Sequence, residues 1–178
     1  MNAACSRGSR MQESVKKIVE RFKLEPHPEG GYYREVYRST LALQHPAIDS
    51  AQDARRCAGT FIYFLLAAEQ FSAFHRVRST DEIWHLYAGG PLELHTIDAQ
   101  GRYAKRRLTT DLIAGEPTSV VHAGCWQAAR LAPESSWAFG GCSVAPGFEF
   151  ADFEMPAAAE LITAHPQHAR IIRELTRR

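Results

Sequence analysis

Two histidines and an acidic pair lie within one short stretch, residues 74–90, with the sequence FHRVRSTDEIWHLYAGG. The histidines are His75 and His85, and the acidic residues are Asp81 and Glu82. An imidazole beside a carboxylate can hold a divalent metal of the Mn, Fe, Ni or Zn type. The same pair can transfer protons, because the carboxylate fixes the tautomer of the histidine and raises its basicity. The stretch therefore indicates a metal site, an acid/base pair, or a strand that merely carries polar groups.

Strand geometry separates these possibilities, because alternate residues of a strand face the same side. If HRV and DEIWHLYAGG are adjacent antiparallel strands joined by the turn RSTD, Glu82 lies beside His75 in the interior. His85 then faces the other side, and it can join a metal site only through a β-bulge. The predicted metal ligands within this stretch are His75, Glu82 and His85. If His85 faces outward, the prediction is a metal-independent site with His75 and Glu82 as catalytic residues.

A second polar stretch, HPEGGYYRE at residues 27–35, precedes the first predicted strand. Its two glycines permit a turn before that strand. His27 and Glu29 are expected to close the mouth of a cavity, and Tyr32 or Tyr33 can supply a phenol. The side chains predicted to contact a small-molecule substrate are Tyr33, Arg34, Trp84, Trp126, Gln127 and Phe139.

The elements that must position these residues are mostly short strands. Residues 11–24, MQESVKKIVERFKL, have the apolar spacing of a helix. Residues 40–58 are irregular and polar, and a long loop is expected there. From residue 59 onward, short apolar segments bounded by Gly, Pro, Asp or Ser are typical of an all-β sandwich or barrel. Helical patterning returns at the C-terminal end. We predict a leader without order at 1–10 and a single domain at 11–178.

The stretch around His75 resembles the first cupin motif, G-x5-H-x-H-x(3,4)-E-x6-G. His75 matches its first histidine, Glu82 its glutamate and Gly89 its closing glycine. Val77 replaces the second histidine, and Glu69 replaces the opening glycine. The resemblance therefore implies a cupin site that lacks one of the usual metal ligands.

The second cupin motif, G-x5-P-x-G-x2-H-x3-N, is matched more loosely by EPTSVVHAGCWQAARL. His122 takes the proline position and Gly124 is retained. Gln127 takes the histidine position and Leu131 the asparagine position. An amide is a poor ligand for Zn or Fe but a good hydrogen-bond partner for a hydroxyl or carbonyl group.

Segments from HPEGGYYREVYRS to VAPGFEFADFEM, within about residues 12–156, are similar in order to one group, the small single-domain cupins called cupin type 5, a domain of unknown function. The resemblance implies a cupin jelly-roll β-barrel with an N-terminal helix and C-terminal helices, a cavity for a small ligand, and a homodimer. Cupin folds host many activities, so the fold does not choose among them.

Composition excludes several partners. The 178-residue chain has a formal net charge of +1, which gives no electrostatic case for nucleic acid or membrane binding. No apolar run approaches the roughly 18 residues of a membrane span. The four scattered cysteines indicate reduced thiols and a cytoplasmic protein.

Three functions stay open. The first is an isomerase or epimerase acting on a small polar, sugar-like molecule without a cofactor. As in similar sugar-epimerising cupins, His75 would remove a proton, and Tyr32, Tyr33 or Tyr87 would deliver one. The second is a divalent-metal-dependent enzyme with His75, Glu82, His85 and Gln127 as ligands. The third is a non-catalytic module that binds or senses a small molecule.

Overall fold

The computed structural model describes residues 3–44 and 55–177, with side chains described from residue 12 onward in those ranges. Three α-helices flank the strands: α1 (Ala3–Phe22), α2 (Ala158–Ala164) and α3 (Ala169–Glu174). The strands, in chain order, are β1 (Glu25–Pro26), β2 (Tyr32–Arg38), β3 (Ala42–Gln44), β4 (Arg55–Cys57), β5 (Thr60–Ala67), β6 (Phe71–Val77), β7 (Asp81–Gly89), β8 (Leu92–Ile97), β9 (Tyr103–Leu108), β10 (Thr118–Val121), β11 (Trp126–Leu131), β12 (Trp137–Ala145) and β13 (Phe153–Glu154).

Two antiparallel sheets form the body of the domain. The larger has the order β1-β2-β5-β12-β7-β10, and the smaller has the order β13-β6-β11-β8-β9. The predicted all-β jelly roll with flanking helices is confirmed. Between the described residues, however, the hydrogen bonds form two separate main sheets and do not close them into one barrel. The edge strands β1 and β13 have two residues each, and both border the cavity described below.

Strands β5, β7 and β12 divide the space between the sheets into an apolar core and a cavity. On β5, Thr60 and Ile62 line the cavity, whereas Phe64 and Leu66 belong to the core. On β7, Glu82 lines the cavity, and Trp84 and Leu86 follow it into the core. Each strand thus carries one inward-facing row that changes from cavity wall to core along its length.

Helix α1 covers the outer face of the larger sheet. Its apolar side packs on Leu65 and Phe139, which point away from the core. The ring of Phe22 lies 4.6 Å from the ring of Phe139 and 5.2 Å from that of Tyr63, measured between centroids. This contact explains why β5 is apolar on both faces, since one face meets the core and the other meets the helix.

Helices α2 and α3 cover the outer face of the smaller sheet. Leu161 and Ile172 pack on Phe74 and Ile97 from that face. The backbone N–H of Phe74 donates a hydrogen bond of 2.8 Å to the carbonyl of Leu175. The C-terminal segment is therefore attached to β6, the strand that carries His75.

The structure describes only part of two segments that the sequence predicts to be irregular, residues 1–10 and 40–58. Helix α1 begins at Ala3, so it includes most of the stretch 1–10 that the sequence predicts to be a leader without order. The division into leader and single domain stays a prediction. In the segment 40–58, β3 and β4 pair in an antiparallel ladder, and residues 45–54 lie outside the described residues.

Helix α1 carries no membrane-spanning signal, and neither does any other helix in the described ranges: none is long and apolar enough to cross a bilayer. Val36, Tyr37, Tyr87 and Val120 are exposed apolar side chains on strands of the larger sheet. They provide surface for the predicted homodimer, which stays a prediction.

The packing of α1 predicts that Phe22→Ala lowers the free energy of unfolding by about 2 kcal/mol. A fully buried phenylalanine costs about 3–5 kcal/mol when truncated, and Phe22 is half-buried. Urea unfolding at fixed pH measures the change. The control is Arg21→Ala, an exposed neighbour whose effect is expected within about 0.5 kcal/mol. Equal effects of the two substitutions would show that α1 does not stabilise the sheet.

Candidate active site

The cavity lies at one end of the space between the sheets and has a volume of about 150 Å³. Its floor contains buried polar groups, and its rim contains aromatic and charged side chains. The residues that line it are Glu25, His27, Glu29, Tyr33, Glu35, Arg38, Thr60, Ile62, His75, Val77, Glu82, Cys142, Val144, Phe148, Phe150 and Phe153.

Glu29 reaches the floor because a tight turn precedes β2. The N–H of Gly30 donates to the carbonyl of His27, and the N–H of His27 donates to the carbonyl of Gly31, each at 3.0 Å. Gly30 and Gly31 have φ values of +119° and +72°, which favour glycine. A Cβ on Gly30 would lie 2.1 Å from the carbonyl oxygen of Phe71, so only glycine permits this approach. The turn predicted from the two glycines is confirmed.

A β-bulge in β6 brings two polar side chains to the same carboxyl group. Gln127 pairs with His75, but Ala129 pairs with Ser72, so β6 has one extra residue in this interval. Ser72 and His75 therefore face the cavity although they are three residues apart. The hydroxyl of Ser72 donates to Oε1 of Glu29 at 2.8 Å, and Nε2 of His75 lies 3.2 Å from Oε2.

The bulge also fixes the tautomer of His75. Nδ1 lies 2.8 Å from the carbonyl oxygen of Ala73, which can only accept, so Nδ1 carries a hydrogen. In the neutral imidazole, Nε2 then presents its lone pair to Glu29. The neutral carboxyl form of Glu29 has one O–H group, and Oε2 lies 3.2 Å from Nε2, within reach of that lone pair. The pair thus contains one movable proton between Oε2 and Nε2.

Burial favours the neutral forms of these floor groups. Desolvation raises the pKa of Glu29 to about 8, and the hydrogen bond from Ser72 and the charge of Arg177 oppose this only in part. Desolvation also lowers the pKa of His75, against the charge of Glu82 and the Ala73 carbonyl. The pKa of His27 falls to about 3 through burial, with smaller contributions from His75 and Arg177. At neutral pH, Glu29 therefore keeps its proton and both histidines are uncharged.

Glu82 is held from behind by a buried chain of hydrogen bonds. Nε2 of Gln127 donates to Oε2 of Glu82 at 2.6 Å, and Nε1 of Trp84 donates to Oε1 of Gln127 at 2.8 Å. Burial raises the pKa of Glu82, and the nearby Glu29 adds to the increase. Burial beside Glu82 likewise raises the pKa of the Cys142 thiol well above its ordinary value. Cys142 is therefore a neutral hydrogen-bond donor to Glu82 and not a thiolate nucleophile.

The rim loop, residues 146–154, carries the three phenylalanines of the cavity mouth. Three arginines fix it. Arg38 donates to the Phe148 carbonyl at 3.2 Å, and Arg78 donates to the Ala151 carbonyl at 2.6 Å. Arg56 forms a buried ion pair with Asp152, with both N–O distances at 3.0 Å. These contacts hold the aromatic rings of the mouth in place.

Some of the residues predicted for the site lie together in the cavity. His75 and Glu82 line it, but from two different sheets, so the prediction that their strands are adjacent antiparallel neighbours is wrong. Tyr33 lines it from β2. Tyr32 packs beside α1, and Tyr87 is exposed, with its ring stacked on that of His85. Among the three tyrosines considered, only Tyr33 reaches the cavity.

Other predicted residues lie elsewhere, because their strands are covered on the second face too. Arg34 lies over the ring of Tyr63 on the outer face of the larger sheet, and Phe139 packs under α1. Trp126 stacks with Arg76 in a separate, wider cleft of about 700 Å³ beside α2. Trp84 is part of the core.

The remaining polar candidates differ in their distance from the cavity. Gln127 supports Glu82 from behind and does not line the cavity wall. His85 points outward and lies 3.0 Å from the hydroxyl of Ser143. His122 is exposed and lies 3.2 Å from Asp81.

Sequence reasoning missed three parts of the site. The sequence placed Glu29 only at the mouth, whereas it lies on the floor. The signal for Cys142 was available, since it alternates with Val144 on β12 opposite Trp84 and Glu82. The rim phenylalanines carry no periodic signal, because a loop places them.

Comparisons with known proteins identify the family. The family model described as "Cupin superfamily (DUF985)" matches residues 16–156. The chain belongs to this family. A hypothetical protein from Leishmania major is 32% identical, over 90% of this chain and 97% of that chain, with a TM-score of 0.81. Protein SO0799 from Shewanella oneidensis is 35% identical, over 90% and 96% of the two chains, with a TM-score of 0.78. The uncharacterized protein YML079W of Saccharomyces cerevisiae is 27% identical, over 78% of this chain and 73% of the yeast protein.

The donor groups of this cupin do not fit a divalent metal ion. The predicted set of His75, Glu82, His85 and Gln127 does not converge, because His85 faces outward and Gln127 does not line the cavity. Nε2 of His75 is directed at Glu29, and Glu82 already accepts from Gln127. Among residues 3–44 and 55–177, no group of three or more His, Cys, Asp or Glu residues is arranged to hold a metal.

The burial of Glu29 predicts how the stability of this cupin depends on pH. The ordinary pKa of the carboxyl is 4.5, and in the folded protein it is about 8. Between these values the folded state keeps a proton that the unfolded state has lost, so stability falls as pH rises. The histidines have lowered pKa values, and they change stability in the opposite direction only below their ordinary 6.5.

We expect Glu29→Gln to reduce the loss of stability between pH 6.5 and 8 by about 1 kcal/mol per pH unit. Urea unfolding at several pH values in that window measures it. Glu20→Gln, on the exposed face of α1, is the matched control and keeps the wild-type slope. Identical slopes for wild type and Glu29→Gln would mean that Glu29 is ionised in the folded protein.

Proposed function

We propose that this cupin binds a small polar molecule in the cavity and catalyses a proton transfer on it, as an isomerase or epimerase does. The observation that carries the proposal is the buried contact between Nε2 of His75 and Oε2 of Glu29 at 3.2 Å. A histidine with a fixed tautomer and a carboxyl group whose pKa is raised to about 8 can exchange a proton near neutral pH.

The size and walls of the cavity support a small ligand. A cavity of about 150 Å³ accommodates a molecule of the size of benzene. The carboxyl groups of Glu29 and Glu82 and the hydroxyl of Tyr33 offer hydrogen bonds to hydroxyl, carbonyl or amino groups. Ile62, Val77 and the rim phenylalanines exclude water and strengthen those bonds.

The two sheets supply complementary proton-transfer groups. His75 acts as the base once Glu29 has lost its own proton to solvent, and the Glu29 carboxylate then accepts a hydrogen bond from the protonated Nε2. A substrate C–H bond breaks, and its proton bonds to Nε2. Tyr33 lies on the opposite sheet, and burial raises the pKa of its phenol, which therefore stays protonated. Its O–H breaks as a new C–H bond forms on the other face of the substrate, and both groups exchange protons with solvent before the next turnover.

The experiment follows carbon-bound hydrogen in D₂O. Pools of small polyols, hydroxy ketones and amino compounds are incubated with the protein, and mass spectrometry detects deuterium incorporation. We expect exchange into one class of compound, and a loss of at least about 100-fold in His75→Ala. His122→Ala, which removes an exposed histidine, is the matched control and keeps full exchange. Full exchange in His75→Ala would remove His75 from the mechanism.

The pH dependence of exchange is a second readout. Nε2 is free to accept a proton once Glu29 has lost its own, so the rate is expected to rise with pH toward a plateau above about 8. In Glu29→Gln this rise is lost. Ligand binding without exchange of any carbon-bound hydrogen would instead support the non-catalytic binding module.

A further inference from the structure

The cavity contains many more acidic than basic groups. Its lining includes the carboxyl groups of Glu25, Glu29, Glu35 and Glu82, whereas Arg38 is the only lysine or arginine among the described lining residues. Glu29 and Glu82 lie on the buried floor, where a charge is not screened by water. Once ionised, these carboxyl groups would repel an anionic ligand, and Arg38 alone among the described lining residues offers it a lysine or arginine side chain.

Arg38 is already engaged by protein groups. A β-bulge at Val36 places Arg38 on the same side of β2 as Glu35. Its guanidinium donates twice to Glu35, at 3.0 and 2.8 Å, and once to Glu149 at 2.6 Å. A further bond reaches the carbonyl of Phe148. Arg38 therefore fixes the rim and has little capacity left for a phosphate or carboxylate ligand.

The floor carboxyl groups have mainly neutral partners. Ser72, His75 and His27 surround Glu29. Arg177 donates through Nε to the backbone carbonyl of Glu29 at 3.2 Å, and its positive charge lowers the pKa of the carboxyl group without cancelling the effect of burial. Around Glu82, the partners are Gln127, Cys142 and the nearby His75. Neither carboxyl group has a lysine or arginine side chain bonded to it among the described residues.

Aromatic rings provide the second, independent feature. Phe148, Phe150 and Phe153 lie near one another at the mouth, with centroid separations of 5.1 to 6.1 Å. Tyr33 adds a ring from the other side. The faces of such rings attract organic cations through their quadrupole. The three rings meet edge to face, so their planes differ in direction at the mouth. A cation entering the cavity would pass these rings and reach carboxyl groups at the floor.

We infer that the ligand of this cavity is a small organic ammonium ion, whose positive nitrogen lies between the carboxyl groups of Glu29 and Glu82. The inference rests on the proposed function in one respect, since the same cavity receives the ligand. The acidic groups alone would not define a site. The enclosed volume, the aromatic mouth and the fully engaged Arg38 together select a cation.

Binding of an ammonium ion would also free the lone pair on Nε2 of His75, the proposed base. The cation stabilises the ionised form of Glu29, so the carboxyl proton leaves to solvent as the ligand binds. Nε2 of His75 then no longer accepts a hydrogen bond from Glu29, and its lone pair is available to the ligand. In this way a cationic ligand activates His75, and a neutral ligand of the same shape does not.

The test uses three ligands of equal length that differ in charge: n-butylammonium, butan-1-ol and butanoate. Titration calorimetry, or ligand-observed NMR for weak binding, gives each Kd with the intact protein. We expect n-butylammonium to bind about tenfold more tightly than butan-1-ol, with butanoate the weakest. Equal or tighter binding of the alcohol or of butanoate would overturn the inference, and so would absence of n-butylammonium binding.

The pH dependence of binding tests the role of Glu29. An alkylammonium, with a pKa close to the lysine value of about 10.4, stays charged from pH 6 to 9. Its affinity is expected to rise with pH by up to about tenfold per unit and to level off above about 8, because binding releases the Glu29 proton. The affinity of butan-1-ol should not rise. A pH-independent affinity for n-butylammonium would contradict proton release.

Variants locate the site. In Glu29→Gln or Glu82→Gln, the preference for n-butylammonium over butan-1-ol is expected to fall below about threefold. Glu20→Gln, on α1, is the matched control and keeps the preference. An unchanged preference in both floor variants would place the cation elsewhere. All of these readouts measure binding, so they distinguish failure of the charge preference from failure of the proposed proton transfer, which the deuterium experiment measures.

Discussion

The burial of the Glu29 carboxyl group is the constraint on which the site depends. A carboxyl group removed from water is costly unless it is neutral and hydrogen-bonded. Ser72 donates a hydrogen bond to it, Nε2 of His75 lies 3.2 Å from it, and a bulge in β6 turns both side chains toward it. The turn at Gly30 and Gly31 brings the carboxyl group to the same point. The bulge in β6 and the turn at Gly30 and Gly31 thus both position groups around the Glu29 side chain.

In this jelly roll, single strands carry apolar core residues at one end and polar cavity residues at the other. Inward-facing rows on β5, β7 and β12 are apolar at the core end and include polar groups at the cavity end. The outer faces are occupied by helices, so both sheets are buried on two sides over much of their area. The cavity therefore lies between rigid walls, as positioning of acid/base groups requires. The rim loop is similarly restrained, because three arginines bind its backbone and side chains.

The sequence predicted the fold and part of the site for identifiable reasons. Short strands bounded by turn residues indicated a sandwich or a barrel. Alternation placed His75 and Glu82 in a common interior, although β6 and β7 belong to different sheets and do not pair as predicted. Alternation could not tell whether Arg34 and Phe139 face the cavity, because the outer face of their sheet is also covered and also takes large side chains. Trp126 was misplaced for the same reason on the other sheet.

The buried position of Glu29 on the cavity floor could not be predicted from the sequence, for a different reason. Its position depends on a bulge, on a turn and on contacts with the C-terminal segment, and none of these has a local periodic signal. The family resemblance indicated where a cupin site lies but gave no role to Glu29, since this residue is outside both cupin motifs. The glycines beside it were the only local sign that the backbone comes close to another strand.

The hydrogen bond from Arg177 to the Glu29 carbonyl joins residues 148 positions apart. Closing so long a loop costs conformational entropy before any contact is gained, and such contacts form late when a chain folds. The floor of the cavity is consequently complete only when the domain as a whole has folded. A partly folded chain with both sheets formed, but with its last helix undocked, would lack the bond from Arg177 to the backbone of Glu29.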